Sequence, residues 1–458
     1  MRPASIRIPY RDKFPSPVTL PPTAASIPGA IDALLEFLTA RSPHGLPQST
    51  VVLSGAGLSV ASGLTDYRGE NGTYRVNKTY RPIYYSEFLA NHAARKRYWA
   101  RSFLGWTTLH NAEPNAGHFA VRDLGQMGLV NAIVTQNVDS FHPLAHPQLR
   151  TMELHGYLRA VKCVMCKSEF PRDSFQDDLA RLNPVWAEFL REAIAEGAFS
   201  STDILKQSEK LGAPAIRSNP DGDVEVPGAQ YQTFRYPACP RCLVSPTEDA
   251  MGRKHKVEVD GDGAWIPTST GGVLKPAVVQ FGENIADHVK DTAQEYIDQA
   301  GKLLVLGTSL ATYSAWRLAK SAKERGMPIA IVNIGGVRGE ETFHGDLEPG
   351  QFGAQGVRVE LPTHAVLPRL VEKLWDEVSP GARSAADTPA SNRLQTKGVG
   401  VFKEMMSLID MEPIKMNIAM KNVAGLADMR SIMLFWLRFF RPRRWRKDLG
   451  NIESHRDG

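Results

Sequence analysis

Four short apolar runs, each ending in a polar or glycine cluster, limit the fold of this chain more than any other feature. The runs are TVVLS before Gly55, LVNAIVTQNVDS from Leu129, KLLVLGTSL from Lys302 and PIAIVNIGG from Pro328, and helical segments lie between them. Apolar runs of this kind that alternate with helices are typical of a parallel sheet, whose ligand lies at the carboxyl ends of the strands. The sequence therefore predicts an α/β fold with a Rossmann-like, doubly wound parallel sheet.

A region rich in turn-forming residues interrupts this pattern between residues 161 and 272. It is rich in Pro, Gly, Asp and Lys and contains all four cysteines of the chain, so we interpret it as a small inserted module. The sheet is expected to resume at VLKPAVVQFGEN, which begins at residue 273. The sequence thus predicts a discontinuous sheet domain formed by residues 30–160 and 273–378.

The two ends of the chain have a different composition. Residues 379–458 begin with the linker-like SPGARSAADTPASNR and then lack a clear core pattern, which predicts a largely disordered tail. Residues 1–29 combine Arg and Lys with several Ser and Thr, as transit peptides of mitochondrial proteins do. The amphipathic helix that such a peptide needs is disfavoured by the prolines at positions 3, 9, 15 and 17. A transit peptide and a plain disordered leader both remain open.

Charge and hydropathy exclude two classes of protein. The net charge is +5, and residues 379–458 alone hold 14 Lys and Arg against 8 Asp and Glu, so the rest of the chain is near neutral. A near-neutral core argues against a nucleic-acid-binding protein. A transmembrane helix needs about 18 or more apolar residues, and the longest run here is IMLFWL (Ile432–Leu437). The stretch MLFWLRFFRPRRWRK suits an anionic membrane surface or nucleic acid; a disordered extension or a misassigned reading frame are the alternatives.

The cysteines form two CxxC motifs, CVMC and CPRC, separated by 72 residues. Two such motifs without a fifth thiol suit tetrahedral zinc, because each lets two thiolates approach one ion at about 2.3 Å. A site made of four thiolates is coordinatively closed, so the zinc is expected to be structural. Two local disulfides or redox pairs are the alternative. The predicted ligands are Cys163, Cys166, Cys239 and Cys242.

The loop GAGLSVASGLTDYRG begins directly after the first apolar run. Gly55 and Gly57 are placed for a tight turn and a close approach to a pyrophosphate, although a GxG motif alone is a weak signal. Asp66 and Arg68 follow about ten residues later, whereas a dehydrogenase has an acidic residue about 20 residues on. The loop therefore fits hydride transfer poorly.

The run at Leu129 ends in TQNVDSFH, and ELHGY follows about 16 residues later. Gln136, Asn137 and Asp139 come at the end of a buried strand, where polar side chains face a ligand crevice, although turn residues arise there by chance as well. His155, in ELHGY, is a candidate general base, because the ordinary pKa of a histidine is near neutrality. A lone histidine is more often a surface or satisfied core residue.

Together these motifs resemble the sirtuin family of NAD-dependent protein deacylases. The matching stretches are GAGLSVASGLTDYRG, TQNVDSFH, LHG, the two CxxC motifs, KPAVVQFGEN, GTSL and VNIG, in the family's order over residues 30–378. RPIYYSEFLANHAARKRYWARSFLGW, with LNPVW and PDGDV in the insertion, is similar to mitochondrial class II sirtuins of the sirtuin-four type. The resemblance covers neither the leader nor the tail.

The resemblance implies that NAD is consumed as a co-substrate. In the family an acyl-lysine oxygen attacks the anomeric carbon of the nicotinamide ribose and expels nicotinamide, and the catalytic base, here His155, takes a proton from a ribose hydroxyl. The residues expected to bind NAD are Gly55, Ala56, Gly57, Ser59, Asp66, Tyr67, Arg68, Gln136, Asn137, Asp139, Gly307, Thr308, Ser309, Asn333, Ile334 and Gly335. The residues expected to bind the acylated substrate are Tyr98, Arg101, Val278, Val279, Phe281, Gly282 and Glu283.

Two substrate contacts follow from the resemblance. The strand Val278–Glu283 is expected to pair with the substrate backbone by strand addition. Tyr98 and Arg101 match the class II pair that recognises acidic acyl groups, and their spacing places both on one helix face; a surface helix with a buried tyrosine fits the spacing alone. Thr65, Ala277 and Gln280 replace the family's Pro, Asp and Phe. The last two bear on peptide affinity and acyl preference rather than on NAD binding.

The sequence thus predicts an NAD-dependent lysine deacylase with one structural Zn²⁺, and mono-ADP-ribosyl transfer or lipoamidase as further activities. A low-turnover protein that binds NAD and zinc is the alternative, and an NAD-dependent dehydrogenase is the third hypothesis. We expect acylated lysines of proteins as partners, no specific nucleic acid, weak membrane-surface contact by the tail and a monomer. The expected location is the mitochondrial matrix, with the cytoplasm or nucleus as alternatives.

Overall fold

The computed structural model of the protein describes residues 14–77, 80–195, 217–226 and 228–378. The predictions for the tail 379–458, its membrane contact included, lie outside these residues, as does the beginning of the predicted leader. Within the described ranges, no helix has the length and hydropathy to cross a bilayer.

The strands and helices are named here in chain order. The strands are β1 (Thr50–Ser54), β2 (Val130–Thr135), β3 (Arg150–Glu153), β4 (Gly156–Cys163), β5 (Glu169–Pro171), β6 (Arg217–Ser218), β7 (Val224–Glu225), β8 (Leu274–Val278), β9 (Lys302–Leu306), β10 (Ile329–Val332) and β11 (Gly356–Val359). The helices are α1 (Ile27–Thr39), α2 (Thr73–Val76), α3 (Tyr85–Ala90), α4 (His92–Asn111), α5 (Ala116–Gln126), α6 (Phe141–Ala145), α7 (Arg172–Leu182), α8 (Pro184–Ala195), α9 (Pro240–Val244), α10 (Asp287–Asp298), α11 (Tyr313–Glu324), α12 (Glu340–His344) and α13 (Thr363–Val378).

Six parallel strands form the main sheet, in the order β11-β10-β9-β1-β2-β3. Successive side chains of each strand point to opposite faces. On one face Val52 and Leu304 pack against α1, α5 and α13, and on the other Val51 and Leu303 pack against α10 and α11. Helices on both faces of a parallel sheet confirm the predicted doubly wound fold, and β1, β2, β9 and β10 are the four predicted strands.

The interrupting region, together with β4 and β8 that flank it, builds a separate layer around a three-stranded antiparallel sheet, β5-β4-β8. The main sheet therefore resumes at β9 and not at residue 273, because β8 pairs with β4. Helix α4 also packs in this layer: its Trp99 and Phe103 share a core with Phe175 and Phe234. The predicted boundaries assigned α4 to the domain of the main sheet. Because α4 packs in the other layer, that layer is not formed by a contiguous insertion alone.

The described part of the N-terminus, residues 14–29, packs on the sheet. The backbone of Leu20 exchanges two hydrogen bonds with that of Arg358 on β11, of 3.0 and 2.7 Å, and Ala24 is fully buried. Helix α1 begins at Ile27 and not at Ala30, and the Ser26 hydroxyl accepts a hydrogen bond from its first turn. The folded part of the chain thus begins before residue 30.

Candidate active site

Loops that follow β1 and β9 meet at the carboxyl edge of the sheet, because the two strands are parallel neighbours. The amide of Gly57 donates to the carbonyl of Gly307 over 2.8 Å. A Cβ atom on Gly57 would lie 2.8 Å from that same oxygen, and one on Gly55 would lie 2.6 Å from Cβ of Thr308. The two glycines are thus required for close contact between the loops, a reason that the sequence did not suggest.

Polar residues that follow β2 join this edge. Asn137 donates from Nδ2 to the carbonyl of Gly55 (3.2 Å) and to Oγ of Ser59 (3.0 Å). The Ser59 hydroxyl in turn donates to Oδ2 of Asp139 over 2.7 Å. Burial raises the pKa of Asp139 to about 6 although this hydrogen bond favours the charged form. The structure therefore brings together Gly55, Ser59, Asn137 and Asp139 of the predicted NAD-binding set.

Gln136 links the same loops to the one after β9. Its Nε2 donates to Oγ1 of Thr308 over 2.8 Å, and its Oε1 accepts from the Thr312 hydroxyl over 3.0 Å. Both polar atoms of the amide are thus held. Gln136 and Thr308 lie together as expected, whereas no sequence pattern had singled out Thr312.

His155 lies between β3 and β4, with one ring nitrogen against the loop after β2. Its Nδ1 is 3.1 Å from the carbonyl oxygen of Gln136, which only accepts, so Nδ1 carries the proton and Nε2 the lone pair. Nε2 is 2.8 Å from Oγ of Ser314, in the first turn of α11. Burial lowers the pKa of His155 to about 4, so the imidazole is neutral at pH 7. The neutral imidazole has the lone pair that a general base requires, although its pKa lies below the near-neutral value expected from the sequence.

The backbone of the loop after β10 accepts hydrogen bonds from a buried arginine. Arg358, fully buried on β11, donates to the carbonyls of Asn333 (2.7 Å) and Gly335 (2.6 Å). Its Nε donates to Oε1 of Glu340 over 2.6 Å, which offsets the cost of burying both charges. No sequence motif had indicated this pair. A single arginine inside the otherwise apolar strand GVRV was the signal available.

The residues Asp66, Tyr67 and Arg68 contact their own loop in the structure. Oδ1 of Asp66 accepts from the amide of Gly69 over 2.7 Å. The ring of Tyr67 stacks on that of Tyr74 at 5.6 Å, and the Arg68 guanidinium lies 5.0 Å from the same Tyr74 ring. Burial is the main cause that lowers the pKa of Arg68. Their contact with NAD stays a prediction.

The four cysteines converge although 72 residues separate the two motifs. Their Sγ atoms all lie within 4.8 Å of one another, and the pairs Cys163–Cys242 and Cys166–Cys239 are 3.6 and 3.7 Å apart. Tetrahedral zinc with bonds of about 2.3 Å requires sulfur atoms about 3.8 Å apart. The cluster therefore fits one Zn²⁺, and four thiolates leave the ion no open position for a catalytic water.

Tyr98 and Arg101 lie on α4 beside an acidic loop that contains Asp221 and Asp223. This loop belongs to the layer around β5-β4-β8, which is called the inserted layer below. Arg101 is 5% exposed, and its Nη2 lies 2.7 Å from Oδ2 of Asp223. The angle is not that of a hydrogen bond, and within the described ranges neither Nη2 nor Nε of Arg101 has a hydrogen-bond partner. Burial and the neighbouring Asp223 raise the pKa of Asp221 to about 7. The predicted acyl-binding arginine is thus already paired with a carboxylate of the chain itself.

The predicted substrate strand is shorter than expected. β8 ends at Val278, and the amide of Val279 then donates to the carbonyl of His155 over 2.7 Å. A turn follows, in which Gly282 has a φ of +82° and Glu283 accepts from the amide of Gln280 over 2.9 Å. Glu283 is also 3.1 Å from Nζ of Lys275. Strand geometry therefore does not extend to Glu283, while β8 remains an edge strand of its sheet.

Gln280, which departs from the family pattern, buries its side-chain amide at 6% exposure. Neither Oε1 nor Nε2 has a hydrogen-bond partner among the described residues. An unsatisfied buried polar group costs about 1–3 kcal/mol, so we expect Gln280→Met, of similar volume, to raise the free energy of unfolding by about that much. Denaturant unfolding measures the change. Gln176→Met is the control and is expected to destabilise, because Gln176 bonds to Phe103 and Arg172; a lower stability for Gln280→Met contradicts the prediction.

Comparison with known proteins adds to this geometry. Residues 55–314 match the model of the Sir2 family. The chain is 38% identical over 346 residues to an NAD-dependent protein deacylase named SIR4 from Batrachochytrium dendrobatidis, covering 74% of this chain and 93% of that protein. It is 32% identical over 322 residues to the mitochondrial NAD-dependent protein lipoamidase sirtuin-4 of Bos taurus (70% and 83%). A solved Sir2 enzyme is similar at 23% identity with a TM-score of 0.46, over 76% of this chain and 98% of that one.

Proposed function

The chain belongs to the Sir2 family, and we propose that it is an NAD-dependent protein-lysine deacylase, which moves an acyl group from lysine to the ADP-ribose part of NAD and releases nicotinamide. The observation that carries this proposal is the neutral His155, whose Nε2 lone pair lies beside the loops at the carboxyl edge of the parallel sheet. That edge is where doubly wound folds bind nucleotides.

The NAD contacts that we propose follow the loops of the site. Backbone and side-chain groups after β1 and β2 would surround the phosphates and the nicotinamide ribose, and those after β9 and β10 the adenosine half. NAD supplies an anomeric carbon with a good leaving group, nicotinamide. The residues of the chain supply orientation and a base: Asn137 and Gln136 join the loops, and His155 is placed to hold a proton at Nε2.

Incubation with NAD and a panel of acyl-lysine peptides tests the function. Nicotinamide release that depends on an acylated peptide, with loss of the acyl group from lysine, is the expected result. Label from NAD that becomes attached to protein would assign ADP-ribosyl transfer instead. Saturable NAD binding without nicotinamide release would favour the low-turnover binding protein, and reduced nicotinamide would revive the dehydrogenase hypothesis.

For the acyl group, we propose a pocket at Tyr98 and Arg101 that accepts chains with an oxygen acceptor and disfavours those with a carboxylate. Apart from the ion pair with Asp223, Nε and Nη2 of Arg101 have no hydrogen-bond partner in the part of the chain that the structure describes, which supports an acceptor on the ligand. Asp223 on the same guanidinium, with Asp221 close to it, opposes a further negative charge. This differs from the acidic preference that the resemblance to class II sirtuins implies for Tyr98 and Arg101. The sequence did not indicate the carboxylate partner of Arg101, because Asp223 lies over a hundred residues away in the chain.

Replacing Asp223 tests this pocket. In Asp223→Asn the guanidinium loses its negative partner, so we expect the ratio of kcat/KM for succinyl-lysine over an uncharged acyl-lysine to rise about tenfold. Asp178→Asn, on the surface of α7, is the control. A wild-type enzyme that already prefers succinyl-lysine, or a ratio unchanged in Asp223→Asn, would contradict the proposal. An Arg101→Glu variant with unchanged acyl preference would remove Arg101 from the pocket.

We also propose a mitochondrial location. The basic composition of residues 1–29 and the similarity to a mitochondrial relative from Bos taurus support it. Imaging of the full chain carrying a C-terminal fluorescent protein tests the location, and a signal in the cytoplasm or nucleus would overturn it.

A further inference from the structure

The lone pair of His155 already has a partner in the protein. The Nε2 atom lies 2.8 Å from Oγ of Ser314. Since Nδ1 carries the ring proton, Nε2 accepts and the Ser314 hydroxyl donates. The atom expected to receive a proton in the reaction is therefore occupied by a serine of α11.

A second acceptor for the same hydroxyl lies nearby. Oγ1 of Thr312 is 3.4 Å from Oγ of Ser314, and it donates its own proton to Oε1 of Gln136 over 3.0 Å. A serine hydroxyl carries a single proton, so Ser314 donates either to His155 or to Thr312. The shorter, 2.8 Å contact to His155 is preferred in the absence of a ligand.

We propose that Ser314 is a positioning residue for the base. Its hydroxyl donates to Nε2 of His155 before the substrate binds, and it rotates to donate to Thr312 when the substrate hydroxyl takes its place at Nε2. This inference rests on the proposed function and assigns to it a residue that lies outside the predicted set. The ring is fixed at both nitrogens, by Gln136 and by Ser314, so its plane is set before NAD binds. When a ribose hydroxyl takes the lone pair, the Ser314 proton has an acceptor to move to and none is left buried without a partner.

The position of Ser314 on the helix supports this role. Ser314 lies in the first turn of α11, which has 12 residues and begins at Tyr313. The amino-terminal end of a helix carries partial positive charge, which disfavours a protonated imidazole beside it. Ser314 is thus placed to donate to a neutral ring.

Two variants and one control test the proposal. Ser314→Ala removes the hydroxyl, and we expect kcat to fall about tenfold or more, because a misplaced base slows proton transfer. The Kd for NAD, measured by calorimetry, and the melting temperature are expected to stay unchanged. Ser314→Thr, which keeps a hydroxyl, is expected to restore most of kcat. The control is Ser321→Ala on the same helix, where the lost hydroxyl accepts a hydrogen bond from Nε2 of Gln294, away from His155.

A readout without turnover separates this inference from the proposed function. In NAD-free protein labelled with ¹⁵N-histidine, the Nε2 resonance of His155 is expected to shift in Ser314→Ala and to stay in place in Ser321→Ala. An unmoved resonance, or an unchanged kcat in Ser314→Ala, overturns the role of Ser314. Absence of nicotinamide release in the wild type instead refutes the deacylase function, while the resonance still reports whether the hydrogen bond exists.

Discussion

His155→Asn is expected to lower the kcat of deacylation about 10²–10⁴-fold, the range that a positioned general base contributes. The imidazole is neutral at pH 7 because burial lowers its pKa to about 4, and Nε2 is the nitrogen with the lone pair. Asparagine keeps a polar group of similar size but has no basic nitrogen. The release of nicotinamide from NAD in the presence of an acylated peptide measures the loss.

A matched control separates lost chemistry from lost structure. His288→Asn makes the same change at an exposed position of α10 and is expected to leave kcat unchanged. The Kd of His155→Asn for NAD is expected to remain close to that of the wild type, because no atom of the predicted NAD loops is removed. If His155→Asn retains a tenth or more of the activity, about 1.4 kcal/mol of barrier or less, His155 is not the base.

Cys239→Ser is expected to abolish zinc binding and to unfold the inserted layer. Cys239 is fully buried, and its Sγ lies 3.7 Å from that of Cys166. Structural zinc contributes about 10–16 kcal/mol of apparent binding free energy in small zinc-binding peptides, so the loss of one thiolate removes a large part of the stability of this layer. Metal analysis is expected to fall from about one zinc per chain to almost none, with a lower melting temperature.

The effect is expected to reach the active site. β4 ends at Cys163, a zinc ligand, and begins at Gly156, directly after His155. In addition, Val164 and Cys239 donate to the carbonyls of Val273 and Gly272, which precede β8. Zinc loss is therefore expected to abolish deacylation as well. Ser168→Ala, whose hydroxyl accepts from Arg241 next to the cluster, is the control and is expected to retain zinc; full zinc content in Cys239→Ser would refute the four-cysteine site.

Features of the site that have a local sequence signature were predictable. Buried strands that end in polar clusters specified the parallel sheet and its ligand edge, and CxxC spacing specified two pairs of zinc ligands, because each strand and each pair depends on residues close together in the chain. His155 needed the resemblance to a family, since a single histidine followed by glycine has no physical signature of its own.

Contacts between distant segments were not predictable from the residues. The run KPAVV is as apolar as the strands of the main sheet, and only its pairing with β4 assigns it to the other layer. Arg101 and Asp223 form an ion pair only because the fold brings the acidic loop of the inserted layer next to α4. Ser314 is a serine in the first turn of a helix, a place where serine is common, so only its distance from His155 reveals a role.

If the proposed mitochondrial location involves removal of a presequence, the pairing of Leu20 with Arg358 sets a limit on how much of this end of the chain can be removed. A cut after Leu20 would remove a strand partner from the residue whose guanidinium holds the carbonyls of Asn333 and Gly335. We therefore expect any cleavage that leaves an active enzyme to lie before Leu20. Amino-terminal sequencing of the protein purified from its native cells would locate the cut.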